Sequence, residues 1–156
     1  MDRPSRRPPL ARIHGDSLRP ERLLKAALRR RRVDFIGNPR WLAGRPDVVL
    51  PAVGLAVFVD GCFWHRCPRH WRLPKTNAER WLAKAERNEE RDRMVSEELR
   101  SAGWEVVRVW EHELTSEKKA EQVAAGVVMT ARRLRRRRGR RWTMPGREDG
   151  QLPLGT

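Results

Sequence analysis

Both cysteines of the chain, Cys62 and Cys67, fall in one stretch, D-G-C-F-W-H-R-C-P-R-H, which also carries His65 and His70. In a cytosolic chain two close cysteines are more often thiolate ligands than a disulfide, although free core thiols are the alternative. A tetrahedral zinc site needs four ligands. Cys62, Cys67 and His70 supply three, and His112, just after W-E-V-V-R-V-W, is the natural fourth. Such a site would staple the loop to the end of a later strand and would leave His65 for another task. Phe63 and Trp64 are adjacent aromatics in the same loop and cannot easily share one core. They read as wedges for a nucleic-acid groove, unless one of them packs.

The elements around this loop define an α/β chain. From Pro20, E-R-L-L-K-A-A-L-R-R-R-R predicts a helix with proline at its first position and Asp16 or Ser17 as cap. Residues 37 to 46 are punctuated by Gly, Asn and Pro and read as a loop. P-D-V-V-L and L-A-V-F-V-D then predict a β-hairpin turning at Pro51 to Gly54. Thr76-Asn77-Ala78-Glu79 reads as a capping box that opens a long helix to about Ser101. W-E-V-V-R-V-W alternates as a strand, and a last helix starts at Thr115. The order α, β, β, α, β, α predicts a single domain with a mixed sheet flanked by helices. Its expected parts are a flexible basic arm over 1–16, a main domain over 17–114, a C-terminal helix over 115–138 and a basic, disordered tail over 139–156.

Carboxylates fall where the pattern favours apolar side chains. On the long helix Trp81, Ala85, Val95 and Leu99 form a stripe that also passes through Asn88 and Asp92. Asp92 either pairs at the rim with Arg91 or Arg93 or orients a site residue. Glu21 shares a face with Leu24 and Leu28, and it is also well placed as a helix-start acid. Asp47 opens one strand and Asp60 ends the next, so two adjacent strands carry carboxylates at a sheet edge. That is a plausible oxygen site for Mg²⁺, though strand-end aspartates often only open turns.

Charge narrows the partner. The 156 residues hold 35 basic and 20 acidic side chains, a net +15, and only five of the basic ones are lysines. A polyanion is the expected ligand. The basic runs lack the broad apolar face of a membrane anchor, and no run is long and apolar enough to span a bilayer.

Taken in order, E-R-L-L, G-R-P-D-V-V, V-F-V-D-G-C-F-W-H, K-A-E-R-N-E-E-R-D-R and G-W-E-V-V-R-V-W-E-H resemble the very-short-patch-repair (Vsr) DNA mismatch endonucleases over about residues 10 to 114. The resemblance implies a restriction-endonuclease-like fold, a structural zinc, and Mg²⁺-dependent nicking of one strand 5′ to the thymine of a T:G mismatch left by 5-methylcytosine deamination. It implies Asp47 and the main-chain carbonyl of Val59 as Mg²⁺ ligands, Glu21 as a water-mediated acid, His65 as general base and Asp92 as its orienting group. Phe63 and Trp64 would wedge beside the mismatch with Leu10 entering from the other groove, and Trp81, Asn88 and Arg91 would join the DNA-facing set. Asp60 stands where some members carry a second catalytic histidine, which adds it to the expected catalytic acids. The usual nuclease lysine is absent from its place.

The expected partner is duplex DNA, with mismatch-repair proteins and a companion cytosine-5 methyltransferase around it. The chain is expected to act as a cytoplasmic monomer associated with the nucleoid through DNA. A zinc-stapled, non-catalytic DNA-binding module and a same-fold nickase of other specificity are the competing expectations.

Overall fold

The computed structural model describes residues 18–139. Helix α1 (Leu18–Arg30) is followed by strands β1 (Ile36–Gly37), β2 (Val48–Leu50) and β3 (Leu55–Asp60). Helix α2 (Ala78–Ser101), strand β4 (Glu105–Trp110), a 3₁₀ turn (Glu111–Leu114) and helix α3 (Glu117–Arg138) follow within the described residues. The sheet order is β1-β2-β3-β4, antiparallel up to β3 and parallel between β3 and β4. The parallel pair needs a crossover, and α2 supplies it.

Strand alternation sorts the core into two layers. Val48, Leu50, Leu55, Val57 and Val109 face α1 and α3, where Leu24, Ala27, Leu28, Ala120, Ala124, Val127 and Leu134 complete one buried cluster. Val49, Ala56, Phe58 and Val106 face the other way and meet Leu99, Trp104 and Val95. The mixed sheet flanked by helices is therefore the observed architecture, and no helix among the described residues is long and apolar enough to cross a membrane.

Local details differ from the sequence-based expectations. Residues 36–37 pair with β2 as a short edge strand inside the expected loop, because Ile36 and Gly37 lie opposite Val49 and Val48. Helix α1 already includes Leu18, so Pro20 sits within its first turn rather than at its first position. The capping box at 76–79 does not form. Asn77 precedes α2 in the left-handed region at φ 54° with no side-chain cap bond, a conformation that asparagine tolerates and that aims its side chain away from the helix amides. Asp16, Ser17, Leu10 and the tail from 140 lie outside the described residues.

Candidate active site and metal centre

The period of two that sorts the core also sorts the charges. Asp47 continues β2 on the face of Val49, while Asp60 and Arg108 follow Phe58 and Val106 on the same face, toward α2. They line one cavity of about 490 Å³ together with Val59, His65, Arg91 and Asp92. Gly44 and Arg45, both in the left-handed region at φ 71° and 51°, bend the chain into Pro46 and Asp47. A Cβ on Gly44 would come within 2.3 Å of Val95 Cγ1, so this loop seats directly on α2.

Asp47 is held by both oxygens. The Val59 amide donates to Oδ2 at 2.6 Å and Asn38 Nδ2 to Oδ1 at 3.3 Å. Burial nonetheless pushes its pKa up to about 6, with the nearby Glu21 charge adding to the rise and Lys25 opposing it. A desolvated carboxylate facing a polar cavity beside the end of β3 is a donor that suits a hard divalent cation, and the residues present fit one. Glu21 reaches the site from α1, hydrogen-bonded to Lys25, whose ammonium also donates to Asn38.

His65 donates from Nδ1 to Asp92 Oδ2 and lies 4.0 Å from Asp60 Oδ1. Burial raises the Asp92 pKa, but the hydrogen bond and charge of His65, with Arg108 and Arg91, more than offset it and hold the group below its ordinary value. Asp60 is only 5% exposed and pairs with Arg108 at 2.7 Å. Of the two rim arginines expected for Asp92, Arg91 approaches at 3.8 Å, whereas Arg93 turns to Glu90 and Glu97.

Cys62, Cys67, His70 and His112 converge as expected and could hold a metal ion. Cys62 Sγ lies 3.2 Å from His112 Nδ1 and 3.9 Å from His70 Nδ1, and Cys67 Sγ lies 3.6 Å from each. A zinc tetrahedron with bonds of ~2.0–2.3 Å has edges of about 3.3–3.8 Å; the four Cys–His separations lie within about 0.1 Å of that range, all four donors lie within 4.8 Å of one another, and two thiols with two imidazoles are a donor set that suits zinc. Both thiols are free. Burial pushes Cys62 up to about 12, and burial with the neighbouring His70 holds His112 below its ordinary value. Glu111 Oε1 accepts from the Cys62 amide at 2.7 Å and ties the loop to the 3₁₀ turn.

Between the metal centre and α2 lie the aromatics. Phe63 meets Trp64 and Trp81 edge-on at 5.2 and 5.3 Å, and Lys84 lies 4.6 Å over the Trp64 ring. All three rings are half-buried. Asn88 donates to the Trp64 carbonyl at 3.0 Å and so holds the loop that carries the pair.

A family model described as DNA mismatch endonuclease Vsr matches residues 1–72. Over 107 residues the chain is 36% identical to Type II nicking enzyme V.NmeAIP of Neisseria meningitidis, covering 67% of this chain and 76% of that one. The chain belongs to the Vsr endonuclease family. It is also 50% identical over 90 residues to Type II nicking enzyme V.NaeI of Lentzea aerocolonigenes, which is 58% of this chain and 51% of that protein. Against DNA mismatch endonuclease Vsr of Escherichia coli it is 40% identical over 79 residues, 50% of this chain and 51% of that one. The chain thus spans about half the length of V.NaeI and of the Escherichia coli protein.

Within this Vsr-family site, three side chains went unnoticed in the sequence. Arg108 reads as the solvent-facing position of an alternating strand, yet it lies over Phe58 and pairs with Asp60. Lys25 reads as one basic residue of an amphipathic helix, yet it sits against Glu21 near Asp47, so a lysine does reach the site, from α1. Asn38 reads as a turn residue. The half-buried Arg108 and the strand-end Asp60 are brought together by the parallel register of β3 and β4, in which Phe58 lies opposite Arg108, and no signal in the sequence showed that pairing.

Proposed function

We propose that this protein is a Mg²⁺-dependent DNA endonuclease that nicks one strand of duplex DNA 5′ to the thymine of a T:G mismatch. The observation that carries the reading is the hydrogen-bonded His65–Asp92 pair in the same cavity as Asp47. With Asp92 kept ionised, the His65 proton resides on Nδ1, and Nε2 is left to take a proton from the attacking water. The oxygen of that water forms the new bond to phosphorus as the P–O bond to the leaving strand breaks. Asp47 and the Val59 carbonyl would hold Mg²⁺, which when bound neutralises phosphate charge and lowers the pKa of water. Glu21, with Lys25, would act through solvent from the α1 side.

Phe63 and Trp64 are the proposed wedge, with Trp81 as its backing and Leu10 entering from the arm. A T:G wobble costs less to unstack than a paired step, and that difference becomes selectivity. Arg91, at the cavity rim, is the proposed phosphate contact. Zn²⁺ in the Cys62, Cys67, His70 and His112 centre would fix the loop that carries His65 and the wedge. Action on nucleoid DNA in the cytoplasm, as a monomer working beside a cytosine-5 methyltransferase and mismatch-repair proteins, completes the proposal. The test incubates the protein and its Asp47→Ala variant with matched and T:G duplexes in several methylation-site contexts. Mg²⁺-dependent nicking of T:G duplexes alone, lost in Asp47→Ala with duplex binding kept, is the expected result. V.NaeI and V.NmeAIP are named nicking enzymes, which favours a same-fold nickase of other specificity as the second reading. Equal nicking of matched and T:G duplexes would establish that one instead.

A further inference from the structure

We infer that Arg108 is a positioning residue of the proposed centre: paired with Asp60, it braces Asp92 behind His65 and removes Asp60 from metal coordination. The inference rests on the nuclease reading above and assigns what two of its three acids do. Asp47, Asp60 and Asp92 line one cavity, and three carboxylates in one desolvated space repel unless each has its own partner. Arg45 and Arg91 also line the cavity, but Arg108 is the cation that reaches both Asp60 and Asp92. Its Nη1 donates to Asp60 Oδ1 at 2.7 Å, and its Nε donates to Ser96 Oγ at 3.2 Å. Nη2 donates to the Asp92 main-chain oxygen at 3.3 Å and lies 3.6 Å from Asp92 Oδ1. Ser96 Oγ in turn donates to that same Asp92 oxygen at 2.7 Å, so one guanidinium and one hydroxyl grip the turn of α2 that presents Asp92.

The two strand-end aspartates are therefore not equivalent. Asp47 receives only neutral donors, Val59 N–H and Asn38 Nδ2, and keeps its charge available to a cation. Asp60 is buried with its Oδ1 paired to a guanidinium, whose positive charge repels a second cation at that carboxylate. One carboxylate is left for the metal and the other anchors Arg108. Asp92 then has His65 on one oxygen and Arg108 close to the other, a two-sided grip that fixes the imidazole plane.

Purified protein is compared with Asp47→Asn, Asp60→Asn, Arg108→Met, Arg108→Lys and the Asp60→Asn/Arg108→Met double variant. Three quantities are read: Mn²⁺ affinity of the DNA-free protein by electron paramagnetic resonance, single-turnover nicking with protein in saturating excess over T:G duplex, and duplex affinity. Melting temperature sets an assay temperature at which every variant is folded. Asp47→Asn should lose Mn²⁺ binding, while Asp60→Asn keeps it within about threefold. Arg108→Met should slow nicking by about 10–100-fold, the usual cost of removing an outer partner of a site, with duplex affinity little changed. Arg108→Lys should recover part of that rate, and the double variant should be no slower than the worse single one. Loss of Mn²⁺ binding in Asp60→Asn equal to that in Asp47→Asn would overturn the inference, as would wild-type nicking by folded Arg108→Met. Failure of the nuclease reading looks different: wild-type protein would nick no duplex and bind no Mn²⁺, and the inference would fall with it.

Discussion

The titration of Asp47 bears on its proposed role. Its folded pKa of about 6 lies above the ordinary aspartate value of 3.8, so the folded protein binds this proton more tightly than the unfolded chain does. The stability it contributes is fully present below the ordinary value and is lost as pH rises through 6. A shift of that size corresponds to about 3 kcal/mol at most between those limits. Protein without Mg²⁺ should therefore melt at a lower temperature at pH 7.5 than at pH 5, and Asp47→Asn should flatten that part of the difference. Mg²⁺ should raise the melting temperature at pH 7.5 and have little effect at pH 5, where the proton competes with the cation. Calorimetry across pH, with and without Mg²⁺, measures both. The place of this aspartate in the cavity was legible because β-propensity disfavours an acid at the start of a buried strand. Arg108 was hidden by the same rule, since a charge in V-V-R-V-W fits an alternating, half-solvated strand equally well.

Among the elements, the loop from Gly61 to Trp71 and the 3₁₀ turn meet at four side chains that could hold a metal ion and through one carboxylate, Glu111. In the absence of metal the buried Cys62 thiol stays protonated. Zinc uptake should therefore release protons and weaken as pH falls. Purified protein should carry close to one Zn²⁺ per chain, and Cys62→Ser should lose both the ion and several degrees of melting temperature; metal analysis beside a thermal melt reads both. The Gly44 turn makes a second, independent case. With φ at 71° and Val95 Cγ1 at 2.3 Å from a would-be Cβ, Gly44→Ala should cost about 2 kcal/mol or more in a denaturant titration. Part of that should return in Gly44→Ala/Val95→Ala, since the contact is removed but the backbone strain is not. The hairpin, the crossover helix and the last strand were legible because each repeats its apolar period over several residues. β1 and the 3₁₀ turn span two and four residues, too few for any period to show, and Asn77 took a left-handed turn where its neighbours spelled a cap.

For the molecule as a whole, the net charge of +15 should supply an affinity for any duplex that is blind to sequence. With about six phosphate contacts, binding to matched DNA should weaken roughly 10³-fold between 50 and 200 mM salt. Trp64→Ala should leave that salt slope unchanged while shrinking the preference for T:G over matched duplex. Because Trp64 packs against Phe63 and Trp81, the variant should also melt a few degrees lower; fluorescence anisotropy on both duplexes, below that melting temperature, separates the two effects. The distribution of the site along the chain was not legible in the sequence, because it depends on which strands end side by side.

That distribution has a consequence during synthesis. Among the described residues β4 is the last strand to be made and lies at the edge of the sheet, yet it brings Arg108 to the cavity and leads directly into His112. Asp47 and His65 leave the ribosome well before the brace and the fourth metal donor that complete their surroundings. A partly translated chain can pair β2 with β3, but it holds three mutually repelling carboxylates without their arginine and a loop without its clamp. The proposed cutting activity would thus arise only once the parallel pair of β3 and β4 has closed.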